Sequence, residues 1–190
     1  MSDWFSRFLA LLFSLAALLP MLLIALLLFC TSGRVFYRET RLGLHRKPFE
    51  ILKFRTMNPA VRLSPEEKSE LQASGKLRKD PRVTRIGRLL RRFSLDELPQ
   101  LWNAVCGDMA LVGPRPIVES EEHFYGAWCG TLHSVKPGLT GLWQVSGRSL
   151  MTYRQRVALN LYYIRHKSWT LDLWILYRTV FAVLGGRGAF

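Results

Sequence analysis

Ser94-Leu95-Asp96-Glu97-Leu98-Pro99-Gln100-Leu101-Trp102-Asn103-Ala104-Val105-Cys106-Gly107 continues through Asp108-Met109-Ala110-Leu111-Val112-Gly113 to Pro114-Arg115-Pro116, and this stretch organises the chain. Two adjacent carboxylates, Asp96 and Glu97, follow a dense run of arginines. Ser94-x-x-Glu97 has the spacing of a capping box, and acids in a first turn are favoured by the helix dipole. Pro99 suits a first turn, which makes Asp96 a second candidate N-cap. Leu98, Leu101, Trp102 and Val105 recur at i, i+3, i+4, i+7, and Gly107 can end the helix. Local structure alone therefore explains the acid pair. A chemical reading stands beside it. A carboxylate held ionised by a helix terminus and nearby arginines can attack phosphorus, and two adjacent anions suit a divalent cation with oxygen ligands. Arg115 lies between two prolines on rigid, extended backbone, which suits a guanidinium aimed at phosphate oxygens.

Outward from this stretch the charge is lopsided. The chain has 190 residues and a formal net charge of +13. Between Arg34 and Arg92 there are 17 Lys and Arg against 6 Asp and Glu, so +11 of the +13 lies there. Such a balance calls for an anionic partner: nucleic acid, anionic lipid or a phosphorylated substrate. Arg85, Arg88 and Arg92 share one face of a predicted helix over 84–92, suited to nucleic acid or to a membrane surface. Few aromatics interleave with the arginines, which weighs against single-strand binding, and nucleic acid is not an expected partner. Cys30, Cys106 and Cys129 lack metal-ligand spacing and read as reduced thiols.

Phe8 to Phe29 is an uncharged, almost wholly apolar run of 22 residues, about 33 Å long as a straight helix. Pro20 lies in its middle, removes a backbone hydrogen bond and clashes with the Ala16 carbonyl, so a kink or break is expected. A spanning helix and two half-helices dipping into one leaflet both remain open, with a cleaved signal peptide as a third reading. Arg34, Arg38, Arg41, Arg46 and Lys47 follow, which puts the rest of the chain on the cytoplasmic side.

Short strands separated by turns are expected over 34–57. In Phe49–Met57 a period of two sets Lys53 and Arg55 on one face, suited to a diphosphate or equally to a charged edge strand. Ser64-Pro65-Glu66-Glu67 starts a short helix. Glu119–Trp128 is expected as an amphipathic helix. Leu142–Arg148 is expected as a tight hairpin or as a pocket wall that includes Gln144 and Arg148. Tyr153–Arg165 is expected as a helix. Trp169–Leu184 reads as an interfacial helix or a buried core helix. His45, His123, His133 and His166 show no ligand spacing. The fold class is α+β, mainly helical with short strands, with an N-terminal membrane helix and interfacial amphipathic helices.

Five motifs then carry a resemblance: Lys53-Phe54-Arg55-Thr56-Met57, Ser94-Leu95-Asp96-Glu97-Leu98-Pro99-Gln100-Leu101, Gly107–Pro116, Lys136-Pro137-Gly138-Leu139-Thr140-Gly141 and Trp143-Gln144-Val145-Ser146-Gly147-Arg148. In that order they resemble the bacterial sugar transferases, more narrowly the small monotopic phosphoglycosyl transferases. The resemblance implies transfer of sugar-1-phosphate from a UDP-sugar to polyprenol (undecaprenyl) phosphate with release of UMP, initiating glycoconjugate or polysaccharide synthesis. It makes Asp96 the nucleophile of a covalent phosphosugar intermediate and Glu97 its partner, with Mg2+ at the pair. Lys53, Arg91 and Arg115 match basic active-site residues; Arg55, Gln144 and Arg148 join them as substrate-binding candidates. Pro20 matches the break of a re-entrant membrane helix. The expected division is a re-entrant anchor over 1–33 and a cytosol-facing catalytic domain over 34–190, at the cytoplasmic face of the bacterial inner membrane. Membrane lipids are the further partner. Leu9, Leu19 and Asn160 depart from the family pattern, which more often has Asp, Ser and Asp there. Two alternatives remain: direct transfer in a ternary complex with Asp96 only as a metal ligand, and a non-enzymatic basic protein of the membrane surface.

Overall fold

The computed structural model describes residues 2–74, 77 and 80–186. The apolar run folds as two helices, α1 (Asp3–Ala16) and α2 (Leu18–Ser32), bent by 58°. The break falls at Ala17, not at Pro20 itself. Pro20 occupies the third position of α2, inside the first turn, where a missing N–H is not needed. The clash expected with the Ala16 carbonyl is relieved because α1 ends at Ala16. Among the described residues no single helix is long and apolar enough to cross a membrane; the bent pair meets that test together, by length and composition.

Gly33, at φ +66, ends α2 in the left-handed conformation that glycine adopts without a Cβ penalty. An antiparallel hairpin follows, β1 (Phe36–Leu42) and β2 (Pro48–Phe54), with Phe36 opposite Phe54 and Leu42 opposite Pro48. Next come α3 (Pro65–Ser74) and α4 (Arg85–Arg92), both starting where expected. Ser64 Oγ accepts from Glu67 N at 3.2 Å, and Thr84 Oγ1 accepts from Gly87 N at 2.9 Å.

Two expectations fail around the acid pair. Leu95–Glu97 is a single 3-10 turn, and the helix proper, α5 (Gln100–Cys106), begins only afterwards. Ser94 does not cap it: its backbone is left-handed and its hydroxyl is taken from elsewhere in the chain. The 3-10 turn shifts the helical register, so Trp102 faces outward while Gln100, Leu101, Asn103 and Ala104 are buried. Gly107 ends α5 at φ +92, as expected.

β3 (Ala110–Val112) comes next, and its partner lies far along the chain. Glu119–Trp128 forms two 3-10 segments rather than the expected amphipathic helix, interrupted at Tyr125, and the second begins at Gly126, whose φ is +51. The short α6 (Cys129–Leu132) leads to β4 (Gly138–Thr140), which pairs in parallel with β3, Ala110 with Gly138 and Val112 with Thr140. The Trp-Gln segment is a helix, α7 (Leu142–Ser146), not a hairpin, because Gly141 starts a helical turn beside Gly113. The chain closes with α8 (Tyr153–Arg165) and α9 (Trp169–Gly185). The class is α+β with short strands.

The core gathers Ile51, Leu101, Met109, Leu111, Val112, Tyr163 and Ile175, each fully buried aliphatic side chain stabilising by about 1.5–3 kcal/mol. The first helix belongs to it. Ala10 and Ala104, both 0% exposed, let α1 and α5 approach closely. Ser6 Oγ accepts from Leu111 N, and Arg7 Nε donates to the Val105 carbonyl. The first helix of the 1–33 stretch thus packs as part of the body formed by the residues after it. α9 is buried along one side only. Asp172 and Ile175 turn inward, and Trp169, Leu173, Trp174, Tyr177, Val180, Phe181 and Leu184 form an exposed apolar face. α1 and α2 expose a second such face from Trp4 through Phe29.

Candidate active site

Three elements bring the basic and acidic side chains together. β2 supplies Lys53, the 3-10 turn supplies Asp96 and Glu97, and the extended segment after β3 supplies Arg115. β2 is held against α5 by Asn103, whose Nδ2 donates to the Glu50 carbonyl at 2.7 Å and whose Oδ1 accepts from Leu52 N at 3.2 Å. One side chain thereby satisfies two strand-edge groups and sets Lys53 opposite Glu97. The sequence signal was a polar residue on the buried side of an otherwise apolar helix, and motif reasoning missed it.

Glu97 is the hub. Its Oε1 accepts from Lys53 Nζ at 2.7 Å and from Arg115 Nη1 at 3.1 Å. Burial by itself would raise the Glu97 pKa, but Lys53 and Arg115 overcome it and hold the carboxyl well below the usual range. The Lys53 ammonium is pulled down by burial despite the pairing. For Arg115, Glu97 more than offsets burial and the guanidinium is pushed up.

Asp96 is 8% exposed, and among the described residues no hydrogen bond or ion pair to its carboxylate is found. Burial, and next the negative charge of Glu97, push its pKa up; Lys53, Arg91 and Arg115 act in the opposite sense. The sequence expectation of an acid kept ionised by a helix dipole is thus corrected. The turn before α5 is not a helix terminus, and it is Glu97 that takes the direct pairs. Asp96 is left as an unpaired carboxylate surrounded by cations.

Arg91 reaches this group from α4. Its Nε donates to Thr56 Oγ1 at 2.9 Å, and α4 lies close enough to Thr56 only because residue 87 is glycine. A Cβ at Gly87 would stand 2.2 Å from the Thr56 carbonyl oxygen. Arg148 joins from the end of α7: Nη2 donates to Ser94 Oγ, and Nη1 donates to the Ala182 carbonyl at 3.2 Å. Burial lowers the Arg148 pKa, and Glu97 and then Asp96 counter it, so its charge faces the acid pair.

Two other candidates stand apart. Arg55 lies just beyond β2, donates to the Phe36 carbonyl and sits 5.8 Å over the Tyr37 ring, so it does not converge with Lys53 as a two-residue strand period implied. Gln144 donates to the Leu139 carbonyl at 3.1 Å, and its Oε1 is buried without a hydrogen-bond partner among the described residues. Neither contacts the Asp96–Glu97 pair among the described hydrogen bonds. Of the histidines, His133 is buried between the Gly43 carbonyl and Glu122, a structural role.

The site is therefore two carboxylates among Lys53, Arg91, Arg115 and Arg148, a set suited to a polyanion. Among the described residues no group of three or more His, Cys, Asp or Glu is placed to hold a metal ion. Asp96 and Glu97 Oε2 are hard oxygen donors of the kind that would hold Mg2+ together with substrate phosphates and water.

Comparison with known proteins places the chain in a family. The model of the bacterial sugar transferase family matches residues 1–186. The exopolysaccharide production protein ExoY of Rhizobium meliloti is 43% identical over 178 residues, covering 90% of this chain and 79% of that protein. The undecaprenyl-phosphate galactose phosphotransferase of Salmonella typhimurium is 43% identical over 169 residues, 84% of this chain and 35% of the longer protein. The UDP-glucose:undecaprenyl-phosphate glucose-1-phosphate transferase of Caulobacter vibrioides is 41% identical over 181 residues, 90% of this chain and 65% of that protein.

Proposed function

The chain belongs to the bacterial sugar transferase family, and from that premise we propose that it moves sugar-1-phosphate from a UDP-sugar to undecaprenyl phosphate by way of an aspartyl-phosphosugar. It is an enzyme, a sugar-phosphate transferase. The observation that carries the covalent version is the division of labour between the acids: Glu97 is neutralised by Lys53 and Arg115, while Asp96 next to it has no direct partner.

In the first step an Asp96 carboxylate oxygen attacks the sugar-bearing phosphorus. The bond from that phosphorus to the bridging oxygen breaks, and its electron pair leaves with UMP. Lys53, Arg91 and Arg115 offset the charge that develops on the phosphate oxygens. Glu97 keeps two of these cations in place. A Mg2+ ion held by Asp96 and Glu97 would add further neutralisation of the diphosphate. In the second step a phosphate oxygen of undecaprenyl phosphate attacks the same phosphorus, and the Asp96–phosphorus bond breaks, restoring the carboxylate. The low exposure of Asp96 limits attack by water on the intermediate.

The acceptor phosphate lies at a lipid surface, which gives the exposed apolar faces of α1, α2 and α9 a use. With basic residues after α2 on the cytoplasmic side, α1 and α2 enter and leave one leaflet of the inner membrane as a re-entrant pair. The deciding experiment incubates the membrane-bound enzyme with UDP-sugars and no acceptor. UMP release with a phosphosugar adduct on Asp96 is expected; UMP formation only when acceptor is present, with no adduct, rejects the covalent intermediate in favour of direct transfer.

A further inference from the structure

Ser94 stands two residues before Asp96 with φ +53, in the left-handed region. For a residue with a Cβ this conformation costs about 1–2 kcal/mol, and something must hold it there. Part of the hold is local. Ser94 N donates to the Arg91 carbonyl at 3.0 Å, and the Ser94 carbonyl accepts from Glu97 N at 3.2 Å, closing the 3-10 turn. The rest is remote: Ser94 Oγ accepts from Arg148 Nη2, 54 residues along the chain.

Arg148 is itself anchored. Its own φ is +53, just after α7, and its second terminal nitrogen donates to the Ala182 carbonyl in the last turn of α9. At that helix end the Gly186 N–H donates to Val183, so it does not take the Ala182 carbonyl, and Arg148 fills the opening as a basic C-terminal cap. The same end of α9 abuts α4, since a Cβ at Gly186 would stand 3.0 Å from Arg92 Cγ. The hinge between α4 and the acid turn is therefore braced from α9 through one guanidinium.

We propose that Arg148 and Ser94 form a positioning pair: Arg148, fixed on the C-terminal carbonyl of α9, holds Ser94 in the left-handed conformation that turns Asp96 in among Lys53, Arg91 and Arg115. Its catalytic consequence rests on the sugar-phosphate transfer proposed above. Arg148 then acts through Ser94 on the geometry of the nucleophile, and the backbone shape of residue 94 matters more than its hydroxyl.

Ser94→Ala and Ser94→Gly separate shape from hydroxyl, since glycine enters the left-handed region freely and alanine does not. Ser94→Ala should lower kcat for UMP release about tenfold, with KM for the UDP-sugar nearly unchanged. Ser94→Gly should recover most of that loss. Equal impairment of the two variants overturns the proposal. A second measurement does not depend on activity. The Tm losses of Ser94→Ala and Arg148→Met should be non-additive in the double variant; additive losses overturn the pair. If the wild type releases no UMP from any UDP-sugar, the transferase reading fails, and the Tm cycle still decides whether the pair exists.

Discussion

Lys53 Nζ lies 2.7 Å from Glu97 Oε1, and both side chains are largely buried, at 14% and 19% exposure. This ion pair fixes Glu97 and leaves Asp96 free for the attack proposed for it. It also joins β2 to the turn before α5, beside the two Asn103 bonds that hold the same strand against α5.

Removing one partner strands a buried charge. Lys53→Met should destabilise the protein by about 3–5 kcal/mol, read from chemical denaturation. The double variant Lys53→Met/Glu97→Gln should regain much of that stability while remaining inactive. A double variant no more stable than Lys53→Met would show that the pair is not a closed electrostatic unit.

Asp96→Asn should separate activity from stability. Transfer should fall by roughly 10^3-fold or more, as for loss of a covalent nucleophile. Tm should rise, because burial raises the Asp96 pKa and the ionised form is the costly one in the folded state. Thermal unfolding at neutral pH checks the second half; a lower Tm would mean that the Asp96 charge is net stabilised in place.

The two acids should give opposite pH signatures. With a raised folded pKa, Asp96 favours the folded state as pH falls from the folded value toward the unfolded one, about 3.9, and its loss as nucleophile gives an acid limb in kcat/KM above that value. With a depressed folded pKa, Glu97 contributes stability that is present above its unfolded pKa of about 4.3 and is lost as pH falls below it. Profiles of wild type and Glu97→Gln test this: the acid-side loss of stability should shrink in the variant, while an acid limb at the ordinary aspartate value in the wild type would contradict the Asp96 shift.

Gly87→Ala places a methyl group against the Thr56 carbonyl. α4 must move away, which breaks the Arg91–Thr56 bond and withdraws a cation from Asp96. The expected result is a kcat decrease of at least tenfold with lowered Tm, whereas Leu89→Ala on the exposed face of the same helix should have little effect.

The bend at Ala17 should depend on Pro20. Pro20→Ala restores an N–H and removes the ring, so a straighter and longer helix becomes available. A cysteine at Ser2 should be labelled from the cytoplasmic side in the wild type and lose that access in Pro20→Ala if the helix then spans. Cytoplasmic access unchanged in the variant would show that core packing of α1, not proline, sets the topology.

Much of this was legible one segment at a time. The helix starts at Ser64 and Thr84 are satisfied by hydrogen bonds within a few residues, so the helices expected there and the structure agree. Gly107 ends α5 for the same local reason. The errors share a cause. Ser94-x-x-Glu97 has capping-box spacing, but the Ser94 hydroxyl is claimed by Arg148 and the Glu97 carboxylate by Lys53 and Arg115, all distant in sequence. With both members drawn away, the turn stays 3-10 and the helix starts late, which turns Trp102 outward. Arg55 failed similarly: β2 ends at Phe54, so the two-residue period does not extend to it. Asn103 escaped notice because its two partners are backbone groups of another element.

The sequence by itself determined the inventory: an apolar N-terminal run broken near Pro20, a basic belt over 34–92, and an adjacent acid pair with Arg115 close behind. These follow from composition and short-range periodicity, which act within a few residues. Only the tertiary structure decided which acid is paired and which is free, that Arg148 braces Ser94, and that α1 packs on α5. Those outcomes turn on contacts between side chains 44 to 54 residues apart and, for α1, between a side chain and a backbone carbonyl 98 residues apart. Charge, burial and hydrogen-bond geometry set them once the chain has closed on itself.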